Sequence, residues 1–384
     1  MSQAIGNAGL NAASAVFNFA IALLLSRLLG AEGYGAYAFA VAWAMLLAVP
    51  AVLGLPSVVV RELATYRVRG DWSRARGLIR RANQAVLVAS AAIVGVILVA
   101  FLTLGWPDSP LRGPTLIGLV LVPLVAVISI RQCAMQGFGN VVLGRVPETL
   151  VAPALTIALV LILQTALAGG ITARGAVAAH VMAAALTALL GAYLLRRTLP
   201  SEVQGAQPRD EIRRWLVAAM PLLSMGGIQA VNAQAGTILT GAIAGPQEAG
   251  IFGVSVRVAG LLPFLLLAAV PPLMPRVAEL HERAELERLQ RLLTTAARMV
   301  FLGSLPIALA VIVFAGPLLD LFGDDFGTGV TALRILCLGQ LVNLATGFAG
   351  MILIMTGEAG QLVKAVAAGT VVNLVLAAVL IPGL

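Results

Sequence analysis

Long apolar stretches separated by short polar loops run through almost the whole chain. A bilayer core of about 30 Å needs about 20 apolar residues per helix, so this pattern predicts membrane-spanning helices. Strict alternation of apolar and polar residues is absent, which excludes a porin-like barrel. We identify eleven spans, near residues 7–29, 37–60, 82–105, 114–135, 147–168, 172–195, 215–243, 250–275, 294–315, 329–356 and 362–382.

Composition narrows the classes of function that this chain can have. Of its 384 residues, 60% are apolar and only 11% are charged. The loops are too short for a soluble catalytic domain. The net charge of +8 falls in these loops, which argues against a nucleic-acid-binding protein. Cys133 and Cys337 lie inside apolar stretches without the spacing of a metal site. We therefore expect no catalytic residues, no cofactor and no metal.

Basic residues predict the orientation in the membrane. With a cytoplasmic N-terminus, nearly all arginines fall in cytoplasmic loops or at their helix edges, and the outer loops carry only Arg112 and Arg174. Positive charge is retained in the cytoplasm, so the asymmetry predicts this orientation. Seven arginines lie in the stretch 58–81 alone. The cytoplasmic loops in this assignment are 61–81, 136–146, 196–214, 276–293 and 357–361.

The chain also matches itself at an offset of 215 residues. Aligned pairs include Gly30 with Gly245, Gly35 with Gly250, Pro56 with Pro271, Arg61 with Arg276 and Arg76 with Arg291. An internal repeat of this kind predicts two homologous bundles in parallel orientation, each of six spans. The image of the sixth span would begin beyond residue 384. We therefore expect the second bundle to lack its last helix. The predicted domains are an N-terminal bundle at 1–200, a cytoplasmic linker at 201–214 and a C-terminal bundle at 215–384.

Four segments carry a family resemblance that covers nearly the whole chain. "LLLSRLLGAEGYGAYAFAVA" and "LGLPSVVVRELA" resemble the start of the polysaccharide transporters, which include the O-antigen flippases. "LLDLFGDDFGTGVTALRILCLGQL" and "NLVLAAVLIPGL" are similar to segments in the second half of that family. The family is part of the multidrug/oligosaccharidyl-lipid/polysaccharide (MOP) exporter superfamily. The resemblance implies a MATE-like all-α fold with two bundles around a central cavity.

The resemblance also implies a function. Such a transporter flips an undecaprenyl-diphosphate-linked oligosaccharide from the cytoplasmic to the outer leaflet of a bacterial or archaeal cytoplasmic membrane. Its expected partners are this substrate, membrane lipids and a polysaccharide polymerase or secretion machinery, and the expected state is a monomer. The family has no catalytic motif, so no site residue is transferred from it.

Polar residues inside the spans supply the candidates for a substrate site. Ionisable residues are expensive in a membrane and are functional candidates by default. Arg257 follows Gly250 by seven residues, about 10 Å of helix. That depth makes it the strongest candidate for binding a diphosphate. The further candidates are Arg131, Arg27, a stripe on span 1 (Asn7, Asn11 and Asn18) and a stripe on span 7 (Gln229 and Asn232). Packing between helices also explains some of these side chains.

Other functions remain open at this point. A MATE-type drug/cation antiporter would need a carboxylate in mid-span, and we find Glu62 and Glu148 only at predicted cytoplasmic ends. A glycosyltransferase or polymerase would need a large loop or a cluster of carboxylates. A non-transporting scaffold of a polysaccharide secretion complex is a further alternative, which a transport assay with a lipid-linked sugar would separate from a flippase.

Overall fold

The protein is helical throughout the part of the chain that the computed structural model describes, which is residues 2–104, 109–167, 169–283, 285–355 and 358–380. No strand occurs in these ranges, which confirms the predicted all-α membrane fold. The helices are α1 (Ser2–Ala51), α2 (Leu55–Arg69), α3 (Trp72–Leu104), α4 (Arg112–Gly118), α5 (Leu121–Gly137), α6 (Val141–Val146), α7 (Ala152–Ala166), α8 (Ala173–Thr198), α9 (Ser201–Gly205), α10 (Ile212–Ile243), α11 (Pro246–Ala259), α12 (Phe264–Glu282), α13 (Leu286–Val313), α14 (Ala315–Asp320), α15 (Val330–Thr346), α16 (Phe348–Met355) and α17 (Ala359–Leu380). A π-helical turn, Pro147–Val151, lies between α6 and α7, and a 3-10 turn, Asp324–Gly329, lies before α15.

Nine segments of the described chain are long and apolar enough to cross a membrane. One of them, Gly9–Ala51, has 43 residues and would be about 65 Å long as a straight helix, twice the thickness of a bilayer core. Gly30 interrupts it with φ 68° and ψ −178°, so we interpret it as two crossings. The predicted count of eleven spans stays a prediction. The expected loss of a twelfth helix also stays one, and residues 381–384 lie outside the described ranges.

The second predicted span ends earlier than its apolar pattern indicated. The pattern continues to residue 60, whereas α1 ends at Ala51 and α2 begins at Leu55. Between them, Leu53 and Gly54 have positive φ values of 54° and 67°. A right-handed helix cannot continue through such residues, so the chain changes direction inside an unbroken apolar stretch.

Contacts divide the chain into two units, Met1–Ala249 and Gly250–Leu384. The core of the first unit joins α2, α3 and α5 through fully buried aliphatic side chains such as Leu55, Leu63, Leu78 and Ile130. At Gly137 a Cβ atom would lie 2.7 Å from the Cβ of Leu63. The absence of a side chain there lets α5 approach α2 closely.

Helix α10 packs within this first unit. Trp215 and Ala219 belong to the same core, and the indole N–H of Trp215 donates a hydrogen bond of 3.1 Å to the hydroxyl of Tyr66 on α2. Farther along α10, a Cβ at Gly241 would lie 2.4 Å from the Phe39 ring. The sequence repeat groups the same helix with the second bundle. The division at residues 201–214 therefore stays a prediction.

The second unit has its own core beneath the 3-10 turn. Phe322 and Phe326 are fully buried, with ring centroids 6.5 Å apart. A Cβ at Gly329 would lie 2.6 Å from the side chain of Ile251, so the end of this turn packs directly on α11. These contacts hold α11 against the 3-10 turn, and α11 carries Arg257, the strongest candidate for the substrate site.

Candidate functional site

Each unit contains a break within an apolar stretch that the sequence predicts as a single membrane span. In the first unit the break lies between Ala51 and Leu55, and in the second unit it lies between Ala259 and Phe264. The two breaks occur in segments that the offset of 215 residues aligns, although not at the same aligned residue. Transporter binding sites are commonly formed where helices are discontinuous, because the helix ends expose backbone dipoles inside the membrane. Each break is therefore a candidate position for a binding site in its own unit.

Arg257 lies in the last turn of α11, immediately before the break in the second unit. The chain leaves α11 through turn hydrogen bonds, from Gly260 N–H to Val256 O at 2.8 Å and from Leu261 N–H to Val258 O at 3.2 Å. The Arg257 side chain is exposed, and within the described part of the chain it makes no hydrogen bond or ion pair. A cation at a helix C-terminus is favoured by the helix dipole, yet its guanidinium donors remain available to a ligand.

The polar stripe on α1 is partly committed to protein contacts. Asn11 accepts a hydrogen bond of 2.7 Å from the guanidinium of Arg145. Asn18 donates to the Ser14 carbonyl at 2.8 Å and to its hydroxyl at 3.3 Å. The side chain of Asn7 lies outside what the structure describes. Two members of the stripe, Asn11 and Asn18, therefore already form hydrogen bonds with other groups of the protein.

The stripe on α10 is more open. Gln229 and Asn232 are both exposed, whereas Thr240, which continues the same face, is buried. Pro221 interrupts the backbone hydrogen bonding of this helix on the N-terminal side of the stripe. The open half of the stripe can therefore meet water or a polar ligand.

The other two candidate arginines differ from Arg257. Arg131 is half-buried and donates a hydrogen bond of 2.6 Å to the carbonyl of Ala188, which ties α5 to α8. Arg27 is exposed three residues before the break at Gly30.

Three features escaped the sequence reasoning. Arg145 was counted only as a loop arginine, although it contacts the α1 stripe. The Tyr37 hydroxyl lies 2.8 Å from Nδ1 of His180, which joins α1 to α8 across 143 residues. The third feature is the π-helical turn Pro147–Val151, which carries Glu148, a carboxylate that the sequence had placed only at a predicted cytoplasmic end. Only the π-turn had a local signal, Pro147, because the other two features are long-range contacts.

No metal centre is indicated in the part of the chain that the structure describes. No group of three His, Cys, Asp or Glu side chains there is arranged to hold an ion. The candidate groups are instead the amides of α1 and α10 in the first unit and, in the second unit, the guanidinium of Arg257, which has no partner among the described residues. Amide and guanidinium groups can bind a polar or anionic ligand through hydrogen bonds.

Comparison with known proteins identifies the family. Residues 4–281 match the polysaccharide biosynthesis protein family. The chain belongs to this family. No curated protein matches it in sequence.

Solved structures with the same fold are transporters. An inward-facing multidrug resistance MATE family transporter of the MOP superfamily aligns with a TM-score of 0.77 and 18% identity, over 94% of this chain and 84% of that one. An outward-facing transporter of the same kind gives 0.64 and 15%, over 97% and 86%. A MOP superfamily transporter from Pyrococcus furiosus Vc1 (DSM3638), whose binding pocket of reverse polarity suggests a different function, gives 0.63 and 16%, over 98% and 87%. Family and fold neighbours are thus membrane transporters and not enzymes.

Proposed function

We propose that this protein is a flippase that moves an undecaprenyl-diphosphate-linked oligosaccharide from the cytoplasmic to the outer leaflet by alternating access. The observation that supports it most is Arg257, which is exposed and has no hydrogen-bond or ion-pair partner among the described residues. It lies in the last turn of α11, at a break inside the predicted eighth span of a chain that belongs to the polysaccharide biosynthesis protein family. An arginine at this depth persists when it meets water, a partner or an anion. A diphosphate is a suitable counter-charge, since guanidinium binds phosphate oxygens in pairs.

In the first unit, α1 and α10 carry the amide side chains of the proposed substrate-binding surface. Asn11, Asn18, Gln229 and Asn232 would supply amide groups for sugar hydroxyls or diphosphate oxygens. Arg131 and Arg27 would add positive potential without direct contact. Polarity of the binding pocket varies among transporters of this fold, as the Pyrococcus furiosus relative indicates, so a cationic pocket is compatible with it.

Replacement of Arg257 tests the proposal. Loss of a charge-assisted hydrogen bond costs about 1.5–3 kcal/mol, so Arg257→Ala should reduce flipping roughly tenfold or more. Arg257→Lys should recover only part of it, because lysine cannot bind phosphate bidentately. The assay is leaflet accessibility of a lipid-diphosphate sugar in liposomes, with and without an ion gradient.

A matched control comes from Arg291, which is also exposed in the second unit but pairs with Glu287 at 3.3 Å. Arg291→Ala should leave flipping near the native rate. Full transport by the Arg257→Ala variant would contradict the proposal. Absence of any flipping by the native protein would favour a non-transporting scaffold.

Glu148 supports a second candidate function, that of a drug/cation antiporter. It is an exposed carboxylate in an apolar helical segment, and no hydrogen bond or ion pair to it is observed among the described residues. Single π-helical turns inside helices are found frequently at functional sites. Under this function, Glu148→Gln should abolish efflux of a cationic dye. Under the flippase proposal, efflux is absent before and after the substitution.

The proposed orientation places the N-terminus and the loop at 61–81 in the cytoplasm of a bacterial or archaeal cell. Single cysteines at Ser73 and Ser109 should then react with a membrane-impermeant maleimide from opposite sides. Labelling of both from the outside would contradict this orientation.

A further inference from the structure

The segment 206–211 between α9 and α10 lies along the first turns of α3. The Arg209 N–H donates a hydrogen bond of 3.0 Å to the Ser73 carbonyl. The Arg76 guanidinium donates one of 2.6 Å to the Ala206 carbonyl. A Cβ at Gly77 would lie 1.9 Å from the Arg209 carbonyl oxygen, so the two backbones touch where α3 has no side chain.

Ion pairs reinforce this backbone contact. The Nε of Arg74 lies 2.8 Å from Glu211, and Arg81 pairs with Asp210. Arg214 holds the other oxygen of Glu211 at 3.0 Å. The basic stretch at 58–81 therefore does more than fix membrane orientation. Several of its arginines bind the linker that leads into α10.

The aligned region of the second unit shows that these contacts are not a general property of the repeat. Arg291, the aligned partner of Arg76, pairs with Glu287 on its own helix, and Arg288 pairs with Glu285. Both are local contacts of three or four residues. By contrast, Arg76 and Arg81 reach residues 130 and 129 positions away. The linker contact is therefore a specific feature of α3.

We propose that segment 206–211 is a clasp that opens and closes on α3 during transport. Alternating access moves the predicted bundles against each other. The segment lies inside the first unit and leads into α10, the helix that the sequence repeat assigns to the second bundle. Its bonds are ionic and partly exposed: the Arg81 and Asp210 side chains are 44% and 40% accessible. Exposed ion pairs are individually weak and screened by salt, so they can break without exposing apolar surface to water. The closed clasp holds the start of α10 beside α2 and α3.

Two glycines of α3 supply a matched test. Gly77→Ala places a methyl group against the linker backbone, whereas Gly95→Ala on the same helix meets nothing within 4 Å. Both changes raise helix propensity equally. A cysteine at Ser73 reports opening, because this position of α3 is half-buried and its carbonyl accepts the hydrogen bond from the Arg209 N–H. In a Cys133→Ala, Cys337→Ala background that carries this single cysteine, the Gly77→Ala variant should react with maleimide at least fivefold faster than the Gly95→Ala variant. Equal rates would overturn the clasp.

A reversible cross-link tests whether opening is needed for transport. The backbone hydrogen bond between Arg209 and Ser73 brings these residues close enough for a disulfide, which requires Cα atoms roughly 4.4–6.8 Å apart. Oxidation of the Ser73→Cys, Arg209→Cys variant should reduce flipping of the lipid-diphosphate sugar at least tenfold, and reductant should restore it. Each single-cysteine variant should be unaffected by oxidant. Equal flipping by the oxidised and reduced protein would show a static linker and overturn the proposal.

The two readouts separate this inference from the proposed substrate. The inference rests only on alternating access, and maleimide reactivity needs no substrate. If the reduced variant and the native protein both fail to flip the lipid-linked sugar, the proposed function fails. The glycine comparison then decides the clasp by itself.

Discussion

The contact between Gly54 and α10 predicts a large effect from a single methyl group. Gly54 lies at the break between α1 and α2 with φ 67°, and an added Cβ would lie 2.4 Å from the Ala219 carbonyl oxygen and 2.8 Å from the Leu223 nitrogen. Both are backbone atoms, which cannot rotate away as a flexible side chain could. Gly54→Ala should therefore displace α10 from the first unit.

Gly70 provides the reference for this experiment, because it has the same φ of 67° but nothing within 4 Å of an added Cβ. Alanine in this left-handed conformation costs about 1–2 kcal/mol at either position. Overpacking adds about 1–3 kcal/mol at Gly54 alone. The free energy of unfolding should then differ by about 1–3 kcal/mol between the two variants.

Thermal unfolding of the purified variants in detergent measures this difference. Gly54→Ala should lower the midpoint by several degrees more than Gly70→Ala, and both should still insert into the membrane. Equal midpoints would refute the reasoning, because they would mean that α10 does not press on the break at Gly54.

Two further predictions concern the same region. Burial raises the pKa of the Tyr66 hydroxyl, so the hydroxyl stays neutral and accepts the hydrogen bond from Trp215. Tyr66→Phe should destabilise the protein by about 1–3 kcal/mol, because the buried indole N–H then has no acceptor. An unchanged unfolding midpoint would contradict this. The hydrogen bond from Arg81 lowers the pKa of Asp210, and hydrogen bonds from its arginine partners outweigh partial desolvation to lower that of Glu211. Since both carboxylates have depressed values, their contribution is present at neutral pH and is lost as pH falls through the native pKa values, below the usual 3.8 and 4.5. The rate of maleimide labelling at the single cysteine in position 73, divided by the rate for a free thiol at each pH, should stay constant between pH 8 and about pH 5 and should rise only below about pH 4. A rise already at pH 6 would contradict the ion-pair assignment.

Fold class and family were readable from the chain because a membrane constrains local sequence strongly. Each crossing must satisfy its own backbone in lipid, so every helix leaves an apolar stretch of measurable length. The break at Gly30 agrees with the predicted end of the first span at residue 29. The breaks after Ala51 and Ala259 were less visible, since a break inside an apolar stretch changes dihedral angles without changing hydropathy. The predicted spans 37–60 and 250–275 therefore run across these breaks.

The candidate site was only partly readable. Arg257 could be selected from depth alone, and the amide stripes from helical spacing. Whether a stripe is free or occupied depends on partners from distant helices, as Arg145 shows for Asn11. The distinction between Arg131, which is bonded to Ala188, and Arg257, which is unpaired among the described residues, has the same origin.

The sequence by itself determined the apolar helices and carried the resemblance to the family, and its arginines predict a cytoplasmic N-terminus. Only the tertiary structure assigned the arginines of α3 to the linker, because Arg74 and Glu211 are 137 residues apart and neither carries a local pattern. The hydropathy and charge of each segment follow from its own residues, so they can be read from the local sequence. Pairing between segments depends on which helices become neighbours, and that is decided when the whole unit packs.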